Sequence, residues 1–242
     1  MRFAVHLETI QEFTRSGGMN GVNLLSITAA LDFAGADGVV VKFTGNESEE
    51  DLKSIRIITR MNPGHMNLEV EAKEELVREA IEYTPDQVTI IPVKEKDSGI
   101  DLGLDIAGQR DALQRMVKSL QASNIHCSLL IPPDISQAKE ARKLQVEYVT
   151  INTAAYANAR KLQDAMVNLE EIETVALGAS RLGLRVLVVH GLNHRNIGPL
   201  AALDTIEEAI LGKALFARAM FTGISQAFNE IREAARWQGL HA

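Results

Sequence analysis

Four side chains in this sequence are of the right types to move protons or form bonds to a carbonyl: His6, Lys42, Glu69 and His190. Each stands at or beside the C-terminal end of a short run of aliphatic and β-branched residues, namely RFAVH (2–6), GVVVKF (38–43), MNLEV (66–70) and RVLVVH (185–190). A glutamate can abstract a proton next to a carbonyl, and a histidine can return one to a leaving hydroxyl or an enolate oxygen. A lysine either anchors charge or, with its pKa lowered from about 10.4, attacks the carbonyl to form a Schiff base. Lys42 raises the sharpest question, because three valines precede it and an ammonium group is a costly way to end so apolar a strand.

These residues need a scaffold that brings distant strand ends together. Four further runs, QVTII (87–91), HCSLLI (126–131), EYVTIN (147–152) and EAILG (208–212), bring the number to eight. Between them lie stretches of helical period. SEEDLKSIRIITR (48–60) puts Leu52, Ile55 and Ile58 on one stripe, with Ser48 as a start signal, and EELVREAIEY (74–83) does the same with Leu76, Val77, Ala80 and Ile81. Gly35, Gly38 and Gly183 sit where helices turn back into strands. Strand and helix alternating eight times in a chain of this length predict a (β/α)₈ TIM barrel with extra helices, as a single domain over 1–242.

In that fold the strand C-termini converge on one mouth, where chemistry resides. The expected mouth is His6, Lys42, Glu69, Lys94, Asp134, Asn152, His190 and the pair Gly212–Lys213. Taken singly, several have a plainer use: Asp134 after Pro132–Pro133 as a helix cap, Lys94 on a solvated loop, Lys42 in a salt bridge with Glu69 on the next strand. His126 begins its strand and belongs to the opposite face. His65 and His241 are expected in a loop and in the tail, with no role. Glycines at 191 and 212 let backbone N–H groups approach an anion, and Lys213 adds a point charge, which suits phosphate.

Composition limits the partners. The net charge is −7, with no basic run and no aromatic–basic interleaving, which excludes nucleic acid and an anionic membrane surface as the main partner. Cys127 is the only cysteine, so no disulfide framework or cysteine zinc motif exists. The N-terminal stretch is wrong for a signal peptide, no segment reaches about 18 apolar residues, and the expected location is the cytoplasm.

MNLEVEAKEEL (66–76), GLDIAGQRD (103–111), AGADGVVV (34–41), VVHGLNHRNI (188–197) and AILGKALFARAMFTG (209–223) together resemble the pyridoxine 5′-phosphate synthase family, in one register over essentially the whole chain. The resemblance implies a barrel with added helices and a homo-oligomer, octameric or dimer-based. It implies condensation of 1-deoxy-xylulose 5-phosphate with 3-amino-2-oxopropyl phosphate to the vitamin B6 ring, without a cofactor or metal. It makes Glu69 the general base and His190 the proton donor, and gives Gly191, Gly212 and Lys213 the phosphate, with Gly-Lys where the family has Gly-His.

Elsewhere this chain departs from the family. A first-strand pattern close to Asn-x-Asp-His, followed later by Arg, is here His6, Glu8, Thr9 and Gly17. Lys42 replaces a catalytic histidine, Thr44 and Glu49 stand at basic positions, Gly99 at a substrate-binding threonine and Thr150 at an acidic residue. The expected function is therefore a family-like enzyme acting on a phosphorylated keto or amino-keto compound, diverged from the family reaction. Its catalytic residues are Glu69, His190 and Lys42, and His6, Glu8, Asn152, Gly191, Gly212 and Lys213 bind substrate. The alternatives are an inactive paralogue that binds a B6 vitamer or sugar phosphate, and a Schiff-base lyase or aldolase built on Lys42. A metal held by His6, Glu8, Glu69 and His190 lacks the helical HxxE or HxxxH pair that would support it.

Overall fold

The computed structural model describes residues 1–16, 22–61, 64–93 and 103–239. Eight parallel strands close into a barrel in chain order: β1 (Arg2–His6), β2 (Gly38–Phe43), β3 (His65–Glu71), β4 (Gln87–Ile91), β5 (His126–Ile131), β6 (Tyr148–Asn152), β7 (Arg185–Val189) and β8 (Ile206–Leu211). After β1 come α1 (Glu8–Arg15) and α2 (Leu24–Ala34). Then α3 (Glu49–Met61), α4 (Glu74–Ile81), α5 (Arg110–Ala122) and α6 (Ile135–Lys143) follow β2 to β5 in turn. β6 is followed by α7 (Ala154–Ala157) and α8 (Leu162–Arg181), β7 by α9 (Ile197–Ala201), and β8 by α10 (Lys213–Thr222) and α11 (Ile224–Gly239). The expected TIM barrel is present, and the extra helices are the doubled ones after β1, β6 and β8.

Strand alternation divides the core into two layers. Val39, Val41 and Phe43 of β2 face outward with Leu68, Val88 and Val149 and pack under the helices. Each buried aliphatic or phenyl side chain of this kind stabilises by roughly 1.5–3 kcal/mol. The lumen holds a smaller apolar layer of Ala4, Val40, Ile91, Leu130, Val189 and Ile210. Val41 and Phe43 therefore do not line the Lys42 ammonium; of the three valines that precede it, Val40 alone shares its side.

The lumen is also crossed by polar rungs. Asn67 Nδ2 donates to Thr89 Oγ1 at 2.9 Å, and the Ser128 and Thr150 hydroxyls meet at 2.8 Å. At the N-terminal floor the buried Glu208 carboxylate lies 3.3 Å from His65 Nε2 and 3.4 Å from an Arg2 guanidinium nitrogen. This corrects the expectation for His65, which opens β3 instead of lying in a loop. Gly64, at φ +72°, makes the turn one residue earlier, and Gly38 gives the ring room, since a Cβ there would sit 2.4 Å from His65 Nδ1.

Strand ends shift slightly from the sequence reading. β7 stops at Val189 because His190 takes φ +83°. β8 begins at Ile206, and Gly212 is not its last residue but the N-cap position of α10. Ser48 and Asp134 cap helices as expected, accepting from Asp51 N–H at 3.1 Å and Ser136 N–H at 2.8 Å. Gly17, Lys94, Gly99 and His241 lie outside the described residues.

Candidate functional site

Beyond its last ladder partner, β1 turns directly into α1, and that turn builds half of the mouth. Glu8 is the first residue of α1, and its N–H donates to His6 Nδ1 at 3.1 Å. With Nδ1 accepting, the His6 proton sits on Nε2, which faces Glu69 Oε2 at 3.2 Å. Both side chains are almost wholly buried. One turn further along α1, buried Gln11 grips the backbone of Lys42: its Nε2 donates to Lys42 O at 2.8 Å, and its Oε1 accepts from Lys42 N–H at 3.1 Å. The glutamine amide thus supplies the rung that β1, now helical, no longer provides to the end of β2.

Lys42 and Glu69 are opposite one another in the β2–β3 register, but the expected bond between them does not form. Lys42 Nζ reaches Glu8 Oε1 at 2.7 Å instead. The reason is competition: His6 already holds the Glu69 carboxylate, whereas Glu8 starts a helix aimed across the end of β2.

Charges follow from these pairings. Burial opposes the charge on Glu69, but His6 above all, then His190 and Lys42, outweigh it and hold the carboxyl below its usual range. For His6, burial favours the neutral ring, yet the Glu69 carboxylate wins and raises its pKa. Lys42 loses by burial and gains more from Glu8, ending above its ordinary value; Glu8 is correspondingly lowered. A lysine held this way stays an ammonium and is a poor amine nucleophile. His190 goes the other way, since burial depresses its pKa more than Glu69 raises it.

His190 is also the strained residue of the mouth. A non-glycine φ of +83° costs on the order of 1–2 kcal/mol and is held by Thr153, whose hydroxyl donates to Val189 O and His190 O at 2.9 and 2.7 Å. Its Nδ1 is buried without a hydrogen-bond partner among the described residues. Gly191 continues the left-handed turn at φ +77°, where a Cβ would lie 2.4 Å from the Ala157 methyl carbon. The side-chain amides of Asn193 and Asn196 donate to Gly191 O at 3.2 and 3.0 Å and fix that peptide. At Gly212 a Cβ would stand 3.8 Å from His6 Cβ, over the mouth. Lys213, 71% exposed and 3.8 Å from Glu12, points away into solvent. Asn152 uses Oδ1 to accept from Ala154 N–H at 2.9 Å.

His6, Glu8, Lys42 and Glu69 are thus joined in pairs, with His190 in their field. Among the described residues no group of three or more His, Cys, Asp or Glu side chains has the arrangement to hold a metal ion. Sequence reasoning missed Gln11, Thr153, Asn193 and Asn196. The NHRN spacing carries a signal for the last two, because asparagines commonly cap their own turns, but nothing in the sequence marks Gln11 or Thr153. No described helix is long and apolar enough to cross a membrane.

Comparison with known proteins agrees with this architecture. The pattern of the family "Pyridoxal phosphate biosynthesis protein PdxJ" matches residues 3–236. A pyridoxine 5′-phosphate synthase of a Synechococcus species is 34% identical over 229 residues, covering 95% of each chain, and that of Pelobacter propionicus is 33% identical over 232 residues, covering 96% of each. Among solved structures, the 3-hexulose-6-phosphate synthase of Salmonella typhimurium superposes with a TM-score of 0.61 at 12% identity, covering 98% of this chain and 100% of that one. The Amycolatopsis orientalis BexX/CysO complex gives 0.64 at 16%, covering 99% and 89%. Likeness at that identity concerns the fold alone.

Proposed function

Because the chain belongs to the family of the pyridoxal phosphate biosynthesis protein PdxJ, we propose that it is an enzyme acting on a phosphorylated keto or amino-keto compound, in a condensation or ring closure diverged from that of pyridoxine 5′-phosphate synthase. The observation that carries this reading is the state of the two acid–base groups. Glu69 is a buried carboxylate at the mouth, and His190 beside it presents a buried Nδ1 that no other described residue uses. Glu69 abstracts the proton next to the substrate carbonyl. His190 enters as neutral imidazole, so it takes up a proton before delivering one to the departing or enolate oxygen. The phosphate lies against Gly191 and Gly212 and draws Lys213 in from solvent. Lys42, tied to Glu8, acts as a charge anchor and not as an imine-forming nucleophile; His6, Glu8 and Asn152 line the substrate. The same reading takes 1–242 as one domain of a cytoplasmic homo-oligomer, octameric or dimer-based, that needs no cofactor.

The test is solvent exchange. Incubated in D₂O with 3-amino-2-oxopropyl phosphate, the protein should place deuterium on carbon next to the carbonyl faster than buffer does, read by mass spectrometry, and Glu69→Gln should abolish the gain. Exchange no faster than buffer would overturn the enzymatic reading; if phosphate still bound at the corner, a binding paralogue would replace it.

A further inference from the structure

The turn between β2 and α3 already contains an anion, and it belongs to the chain. Thr44 N–H and Thr44 Oγ1 donate to Glu47 Oε1 at 2.8 and 2.7 Å, Gly45 N–H donates to Oε2 at 2.9 Å, and Arg15 reaches Oε1 at 3.3 Å. The Glu47 side chain is completely buried among these donors. Successive backbone N–H groups, a hydroxyl and a guanidinium together form the kind of concave donor set that holds a phosphate. Here the space is filled by a carboxylate two to three residues along. The other described cations on this side of the mouth are committed as well: Lys42 to Glu8 at 2.7 Å and Lys73 to Glu71 at 2.6 Å.

The β7–β8 corner is different. Gly212 leaves open backbone there, with nothing nearer than His6 Cβ at 3.8 Å from where its own Cβ would stand, Gly191 puts no side chain of its own on the turn, and among the described residues the one carboxylate contact of Lys213 is the exposed one to Glu12. An incoming phosphate there displaces a weak solvent pair. Against β2 it would have to expel a buried carboxylate from its full set of donors.

We infer that the mouth takes one phosphate, at the β7–β8 corner, and that the reactant seated against β1 to β3 is a small polar molecule with no phosphate or other strong anion. This rests on the proposed phosphate corner and sharpens it, because it makes the second reactant an uncharged hydroxyl or carbonyl compound. Glu47 is then the residue that determines this specificity.

Counting phosphate tests it. Titration calorimetry with inorganic phosphate should give a single site per wild-type chain, lost in Lys213→Glu. A Glu47→Ala variant, shown folded by circular dichroism, should gain a second site, visible in phosphate-soaked crystals between Thr44, Gly45 and Arg15. Two sites in the wild type, a single site that survives Lys213→Glu, or a folded Glu47→Ala that still binds one would each overturn the inference. No phosphate binding at all would instead remove the corner reading, and this inference with it. Should Glu47→Ala fail to fold, the wild-type count and the Lys213→Glu result still decide.

Discussion

Both ends of the barrel bury a glutamate against a histidine, and they do so to opposite effect. At the floor, Glu208 sits between His65 and Arg2 at 3.3 and 3.4 Å, and among the described residues neither oxygen finds a well-formed hydrogen bond. At the mouth, Glu69 is held by His6 at 3.2 Å, with His190 and Lys42 close enough to favour its charged form. The floor pairs link β1, β3 and β8 and close the barrel where the chain begins. At the mouth His6, Lys42 and Glu69 also stand on barrel strands, but Glu8 comes from a helix start and His190 from a left-handed turn, elements outside the ladder that fix where side chains stand. The same pair of residue types thus serves cohesion at one end and, in the function proposed above, reactivity at the other, and what differs is the groups gathered around the pair.

That contrast fails if the two glutamates can be exchanged in effect. Glu69→Gln should cut deuterium exchange by about 10²–10⁴-fold, with the urea midpoint nearly unchanged. Substituting at the floor should do the reverse. His65→Leu leaves Glu208 buried with one partner and should cost on the order of 3 kcal/mol in urea unfolding, with exchange unaffected. Exchange lost in His65→Leu, or stability lost alone in Glu69→Gln, would break the comparison.

The floor pair also predicts a pH dependence. Burial alone would lower the His65 pKa, but Glu208 raises it above the unfolded value. A group with a raised folded pKa contributes fully below about pH 6.5 and loses that contribution as pH rises through the folded value. The gap in unfolding free energy between wild type and His65→Leu should therefore be widest in mild acid and narrow toward alkaline pH. A gap that widened with pH would remove His65 as the stabilising cation.

Smaller effects sharpen the mouth side. Gly191→Ala forces a methyl group into the Ala157 side chain at positive φ and should cost about 1–2 kcal/mol along with weaker phosphate binding, measured by calorimetry. Lys42→Arg keeps the charge beside Glu8 and should change ligand affinity by less than about tenfold, since the pair is partly solvated. Borohydride trapping with keto-phosphates should leave no adduct on Lys42; a trapped peptide would restore the Schiff-base alternative.

The strands were legible because runs such as GVVVKF and RVLVVH are buried on both faces and interrupted by helical periods, a signal that survives without tertiary knowledge. The register followed from the fold, so Lys42 was rightly placed beside Glu69 as a neighbour. Its partner was not legible. Which carboxylate an ammonium chooses depends on where the β1–α1 turn aims Glu8 and on the prior claim of His6 on Glu69, and neither leaves a trace in hydrophobic pattern. The positive φ at His190 and the buried Glu47 were hidden for a related reason: histidine is not a turn marker, and a glutamate in a charged loop looks solvated until the N–H groups around it are seen.

Gln11 and Glu8 lie three residues apart on α1, and between them they hold both ends of Lys42, one the peptide and the other the ammonium. Both ends are thus referenced to a single rigid body. If α1 shifts by some small distance against the barrel, backbone and head travel together, and the placement errors of a long, flexible side chain cancel instead of accumulating. The lysine then behaves like a part machined to a common datum, whose reach into the mouth is set by the pose of one helix and hardly at all by its own four methylenes.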